Sequence, residues 1–226
     1  NYSPKKSFFF GFLFGFGYFS FSLVWIIEPF LVEPNITVIL APFALIFLSG
    51  VLSFFWGSAF FFSSYKNDFK NKKISLFKLG ICLSLAEILR SHLFTGFPWV
   101  LLGLAFIDTP ISQVLSIFGP YWLTSIIIIL CLIIPTGKIG ILLSITGFSL
   151  LNIYGLYRDN NEVDDEINKQ IRIIQPNILQ KNKWKKDLEE VNFNKLIKLS
   201  NKNSKNVDIL IWPETSVPFF LEYKKN

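Results

Sequence analysis

The chain has 226 residues, of which 51% are hydrophobic; it holds 26 Phe and no Met, and its formal charge is +6. Several apolar runs reach about 18 residues or more, which reads as membrane spans rather than as the core of a soluble domain. With one His, two Cys and no CxxC pair, the sequence excludes the usual metal-centre patterns.

Five spans are predicted in chain order. The first covers 8–27, "FFFGFLFGFGYFSFSLVWII". Its apolar run is too long for a signal peptide and no cleavage site follows. Gly11 and Gly15 form a small-xxx-small pair suited to close helix packing. The second covers 36–64 and is long enough to tilt. The third, 76–94, carries Glu87 and Arg90 three residues apart on one helical face. Charges at membrane depth are costly and usually paired. They read as an intrahelical ion pair or as the lining of a polar cleft open to the outer face. In "HLFTGFPWVLLG", Gly96 and Pro98 break the helix. Trp99 then reads as an interfacial anchor, or as part of a re-entrant loop shaping a lipid pocket. The fourth span covers 114–134 and the fifth 139–157. Cys82 and Cys131 lie inside apolar helical runs and read as small hydrophobes. A reactive thiolate needs an electropositive setting that neither has.

Basic residues in short loops set membrane orientation. Lys5 and Lys6, then Lys66, Lys70, Lys72 and Lys73, then Lys138 mark one side; Glu28, Glu33, His92 and Asp108 mark the other. The Lys side is expected to be cytoplasmic. The fifth span then runs outward, and the segment after it is expected outside the cytoplasm.

The composition changes at 158–168, an acidic linker between a helical membrane domain at 1–157 and a second domain starting at 169–226. "IRIIQPNI" and "VDILIW" read as buried strands, with a helix between them at 184–200. A strand–helix–strand order predicts a parallel pair in a sheet covered on both faces. Sites in such sheets form beyond the carboxyl ends of the strands. Residues 175–177 and 213–215 are expected at that edge, so Glu214 is delivered to its rim, where it reads either as a site carboxylate or as a solvated strand-end glutamate. Pro213 stiffens the backbone just before it. The Lys-rich stretch Lys181 to Lys186 reads as a solvated helix start, or as a surface for anionic headgroups.

Three stretches in this order, "FTGFPWVLLG", "RIIQPNILQKNKW" and "DILIWPETSVP", resemble the apolipoprotein N-acyltransferase family, within the nitrilase (carbon–nitrogen hydrolase) superfamily. The resemblance covers nearly the whole chain. It implies a multi-pass α-helical membrane domain followed by the start of an α/β nitrilase-like (α-β-β-α sandwich) domain. It implies a bacterial inner-membrane protein whose C-terminal segment is periplasmic. The implied reaction moves an acyl chain from a membrane phospholipid to the N-terminal amine of a diacylated apolipoprotein, by a ping-pong thioester route with a Glu-Lys-Cys triad. The Glu of "WPET" matches the triad's general base, which carries that role to Glu214. Trp99 and Trp184 match aromatic positions near the lipid-binding cleft. The triad Lys and Cys are expected further along than residue 226. With the missing Met, this leads to the expectation of a chain truncated at both ends and inactive by itself. No cofactor, metal or nucleic acid is implied, and a monomer is expected. Two other readings stand beside it. One is a membrane-anchored carbon–nitrogen hydrolase or amidase that would share Glu214. The other is a transporter-like membrane protein in which Glu87 and Arg90 are the functional charges.

Overall fold

The computed structural model describes residues 3–32, 34–65, 72–93, 96–160, 169–183, 185–202, 207–214 and 216. Its contacts divide the chain into two units, Asn1–Phe30 with Thr37–Val163, and Leu31–Ile36 with Asp164–Asn226.

The first unit is helical. Helix α1 (Pro4–Ser22) starts where Ser3 caps the backbone amide of Lys6 and Pro4 fits the first turn. It continues into a 3-10 segment, Val24–Leu31, at a bend of 46°. A single-turn α2 (Pro34–Thr37), which falls mostly in the second unit's Leu31–Ile36, precedes Val38–Leu40 and then α3 (Ala41–Ser64) of the first. After it come α4 (Lys72–His92), α5 (Leu115–Ile133) and α6 (Lys138–Asn160). Among the described residues, three helical stretches are long and apolar enough to cross a membrane: Val38–Ser64, Pro110–Thr136 and Lys138–Asn160. Counting the bent pair at the N-terminus as one span makes four. Helix α4 falls outside that set because Lys78, Glu87 and Arg90 interrupt its apolar run. Helix α6 extends to Asn160, past the point where the linker was expected to begin.

Large apolar side chains cover the outside of this unit. Phe21 is 84% exposed and Phe47 74%. A surface of that kind suits hydrocarbon rather than water. The interior is thin and aromatic. Trp56 is buried, with Tyr18 stacked on it at 5.1 Å and Phe19 edge-on at 5.2 Å. Helices α1 and α3 approach closely along a small-residue seam. A Cβ on Gly11 would sit 2.6 Å from the Phe60 ring, and one on Gly15 would lie 3.3 Å from the Ser53 backbone. Gly17 faces open space, so it takes no part in the seam.

A second close approach fastens α6. A Cβ on Gly155 would lie 1.8 Å from the Pro110 carbonyl oxygen. Backbone cannot retreat as a flexible side chain can. Gly155→Ala is therefore expected to lower stability by about 1–3 kcal/mol, the usual cost of overpacking. A thermal midpoint in detergent equal to that of the parent would show that α6 can stand off Pro110.

The second unit holds β1 (Ile171–Ile173), α7 (Gln180–Lys183), α8 (Glu189–Asn201) and β2 (Ile209–Ile211). The strands pair in parallel with Ile171 opposite Ile209 and Ile173 opposite Ile211, in agreement with the strand–helix–strand reading. Ile174 N–H donates to the Ile211 carbonyl at 2.9 Å, which carries the ladder one step further. Leu196 of α8 and Ile174 are buried. Trp212 Nε1 donates to Ser200 Oγ at 2.9 Å, and Arg172 reaches the carbonyls of Ser200 and Lys202, so α8 is strapped to the pair.

The expectation of strands covered on both faces does not hold among the described residues. Ile173 is 73% exposed, and Ile209, Leu210 and Ile211 are exposed as well. A single helix can cover only one side of a two-stranded ribbon, because successive side chains point to opposite faces.

Candidate functional site

Two constellations of polar groups are candidates for a site, one a buried ion pair and the other an exposed strand-end carboxylate. They belong to different units and are described separately.

In the helical unit the centre is the pair Glu87–Arg90 on α4. Three residues apart on a helix, the two side chains are neighbours. Arg90 Nη2 lies 2.7 Å from Glu87 Oε2 and Arg90 Nε 3.0 Å from Glu87 Oε1, a two-pronged contact. Both residues are buried, at 1% and 2% exposure. This overturns the alternative that they line a cleft open to the outer face. The pair's remaining hydrogen-bonding capacity is met by protein. Trp56 Nε1 donates to Glu87 Oε1 at 2.6 Å. Arg90 Nη1 donates to the carbonyls of Phe97 at 2.8 Å and Trp99 at 2.9 Å, and Nη2 to that of Val100 at 3.3 Å. Its guanidinium also lies 5.1 Å from the Phe19 ring centroid.

Those carbonyls are available because α4 stops just before them. Gly96 adopts φ 81° and its N–H donates to the Leu93 carbonyl at 2.8 Å, as the broken-helix reading of Gly96 and Pro98 requires. A Cβ at Gly96 would strike the Ser91 carbonyl at 2.3 Å. The chain then passes through Val100 at φ 59°, an outlier for a β-branched residue. Tyr18 Oη adds a bond to the Val100 carbonyl at 3.0 Å. Trp99 emerges from this clamped segment 58% exposed, with its ring 5.8 Å from that of Trp25.

In the second unit, Glu214 follows β2 at the carboxyl end of the parallel pair, the edge at which Gln175, Pro176 and Asn177 follow β1. Its side chain is exposed. Asn177 turns through φ 53°, a conformation that Asn tolerates better than most residues. Lys183 Nζ lies 3.4 Å from the Glu214 backbone carbonyl, placing α7 beside the same strand end. The amino end of the pair is closed separately: Asp208 Oδ2 accepts from Gln170 N–H at 2.8 Å. An exposed carboxylate on a sheet rim can accept a proton from a reactant that approaches it.

Of the three residues predicted from sequence, Trp99 and Glu214 are exposed, each in its own unit. Trp184 lies outside the described residues. Sequence reasoning missed Trp25, Trp56 and Tyr18. The available signal was chemical: Arg90 has five donors, Glu87 cannot satisfy them all, and the helix break supplies unpaired carbonyls within ten residues. Among the described residues no three His, Cys, Asp or Glu side chains gather as a metal site would need.

Comparison with known proteins gives a consistent result. Residues 1–133 match the family model described as the apolipoprotein N-acyltransferase N-terminal domain. A protein named apolipoprotein N-acyltransferase from Aquifex aeolicus (strain VF5) is 32% identical over 221 residues, covering 96% of this chain and 49% of the relative. One of the same name from Sinorhizobium fredii is 31% identical, covering 93% of this chain and 42% of the relative. Another from Rickettsia bellii is 31% identical, with 96% and 45% covered. The chain thus spans about half the length of the curated relatives it matches.

Proposed function

The chain belongs to the apolipoprotein N-acyltransferase family, and from that premise we propose that it serves transfer of an acyl chain from a membrane phospholipid to the N-terminal amine of a diacylated lipoprotein. The observation that carries this reading is the extent of the likeness. It runs through 96% of the chain, so it does not stop with the apolar helices, where chance similarity is easiest.

In this reading Glu214 is the general base. Its position at the carboxyl end of a parallel strand is where α/β sites form. A thiol must lose its proton to attack an ester carbonyl, and a nearby carboxylate can take that proton. The acyl group then passes from the phospholipid oxygen to sulfur, and the lysolipid leaves. In the second half-reaction the lipoprotein amine attacks the thioester, and the thiol is regenerated. Cys82 and Cys131 lie in apolar stretches of α4 and α5 and are assigned no role. Both substrates are anchored in the bilayer, so a helical membrane unit on the same chain keeps the chemistry at their level. The reading places the second unit on the periplasmic side of the bacterial inner membrane, as the distribution of Lys suggests.

The test is to express the complete reading frame that encodes these residues and to follow a diacylated lipopeptide by mass spectrometry. A mass gain of one acyl chain, drawn from added phospholipid, is expected. Release of ammonia from an amide, without acylation of the lipopeptide, would instead indicate a carbon–nitrogen hydrolase.

A further inference from the structure

Three features of the helical unit converge on one segment. The first is expenditure: a fully buried ion pair directs three of its hydrogen bonds at the backbone carbonyls of Phe97, Trp99 and Val100, not at another helix. The second is strain: Val100 is held at φ 59°, which a β-branched residue adopts only when its surroundings force it. Tyr18 from α1 supplies a further bond to the same carbonyl. The third is outcome: the residue within this fixed backbone, Trp99, is not packed away. It is 58% exposed and meets the half-exposed Trp25 edge-tilted at 5.8 Å. A loop whose purpose was only to connect α4 to α5 would need neither a buried charge pair nor a strained valine.

We infer that Arg90, braced by Glu87, is a positioning residue that presets the backbone of 97–100 so that Trp99, beside Trp25, forms a fixed aromatic contact for the phospholipid acyl donor. The inference rests on the acyl-transfer reading above for the identity of the ligand. The chemistry of the pair supports a lipid: two indole rings offer broad apolar faces and N–H groups, the combination suited to the boundary between acyl chains and ester groups. Fixing that contact before the ligand arrives removes the ordering cost that a mobile loop would charge against affinity.

The experiment uses the purified full chain in nanodiscs doped with increasing fractions of phosphatidylglycerol brominated on its acyl chains. Bromine quenches nearby Trp emission, and the part of the quenching lost in Trp99→Phe belongs to Trp99. In the parent that part is expected to saturate. In Arg90→Gln its half-saturation point should move about tenfold higher, the scale of one lost charged hydrogen bond. Arg90→Lys, which keeps the charge but not the fork, should recover only part of the loss. Because Arg90→Gln leaves a buried carboxylate and can unfold the unit, Val100→Gly provides the decisive arm. Glycine accepts φ 59° without strain, so the thermal midpoint should hold or rise. The loop nevertheless gains freedom, and half-saturation should rise about threefold. A merely structural role predicts no change in lipid response for a variant that is equally stable.

Unaltered half-saturation in Val100→Gly overturns the inference, as does a parent chain with no saturable Trp99 component. Glu214→Gln, run in parallel, separates the two readings. It should leave the quenching curve in place while acylation by the complete protein is lost. Absence of acylation by the parent would count against the acyl-transfer reading, and retained acylation in the variant against Glu214 as the base; either would leave the Arg90 result standing.

Discussion

Arg90→Ala is expected to destabilise the helical unit by about 3–5 kcal/mol, the cost of breaking a buried pair and leaving one charge uncompensated. Both partners are buried, and Glu87 would keep only the Trp56 N–H among the contacts described above. The carbonyls of Phe97 and Trp99 would lose their Arg90 donor in the same step, and that of Val100 would keep only Tyr18 Oη. Thermal unfolding in detergent micelles checks the size of the effect. A second variant separates charge from clamping. Replacing both partners, Glu87→Leu with Arg90→Met, removes the stranded charge and should recover most of the midpoint. It should not recover the loop: amide hydrogen exchange at residues 97–100 should stay faster than in the parent. Recovery of both would mean that the pair only fills space.

Glu214→Gln is expected to lower acyl transfer by about 10²–10⁴-fold in the complete protein, the usual contribution of a positioned general base. The amide is nearly isosteric and the side chain is exposed, so folding should be intact. What changes is the capacity to accept a proton from the attacking thiol. The loss should appear in the first half-reaction, read as lysolipid released in a burst before any lipopeptide is added. A burst of normal size in the variant would remove Glu214 from the base role.

Much of this architecture was legible in the residues. The parallel pairing of Ile171–Ile173 with Ile209–Ile211 followed from strand, helix, strand order alone. The helix end before Gly96 followed from Gly and Pro chemistry, and the family followed from three motifs in order. The charge pair was visible as an i,i+3 spacing, but its burial was not. Spacing along one helix shows which two side chains meet. It cannot show that Trp56, 31 residues upstream, will donate to the carboxylate, or that Tyr18, 82 residues from Val100, will close the other end. Such contacts depend on how α1, α3 and α4 pack. The strands were expected buried because apolar β-branched runs usually are. Exposure depends on what lies against both faces, which no local pattern states.

The register of the two strands also sets an order of events in biosynthesis. Ile171 waits for Ile209, a lag of 38 residues. At about 5–20 residues per second, the first strand spends roughly 2–8 s as a lone edge before its neighbour has been made. Pairings this distant close slowly, since the intervening chain must first be brought round. Throughout that interval Ile171 and Ile173 offer an unpaired ribbon to any other nascent chain, so the timing of α8 folding governs how much of the product reaches its proper partner.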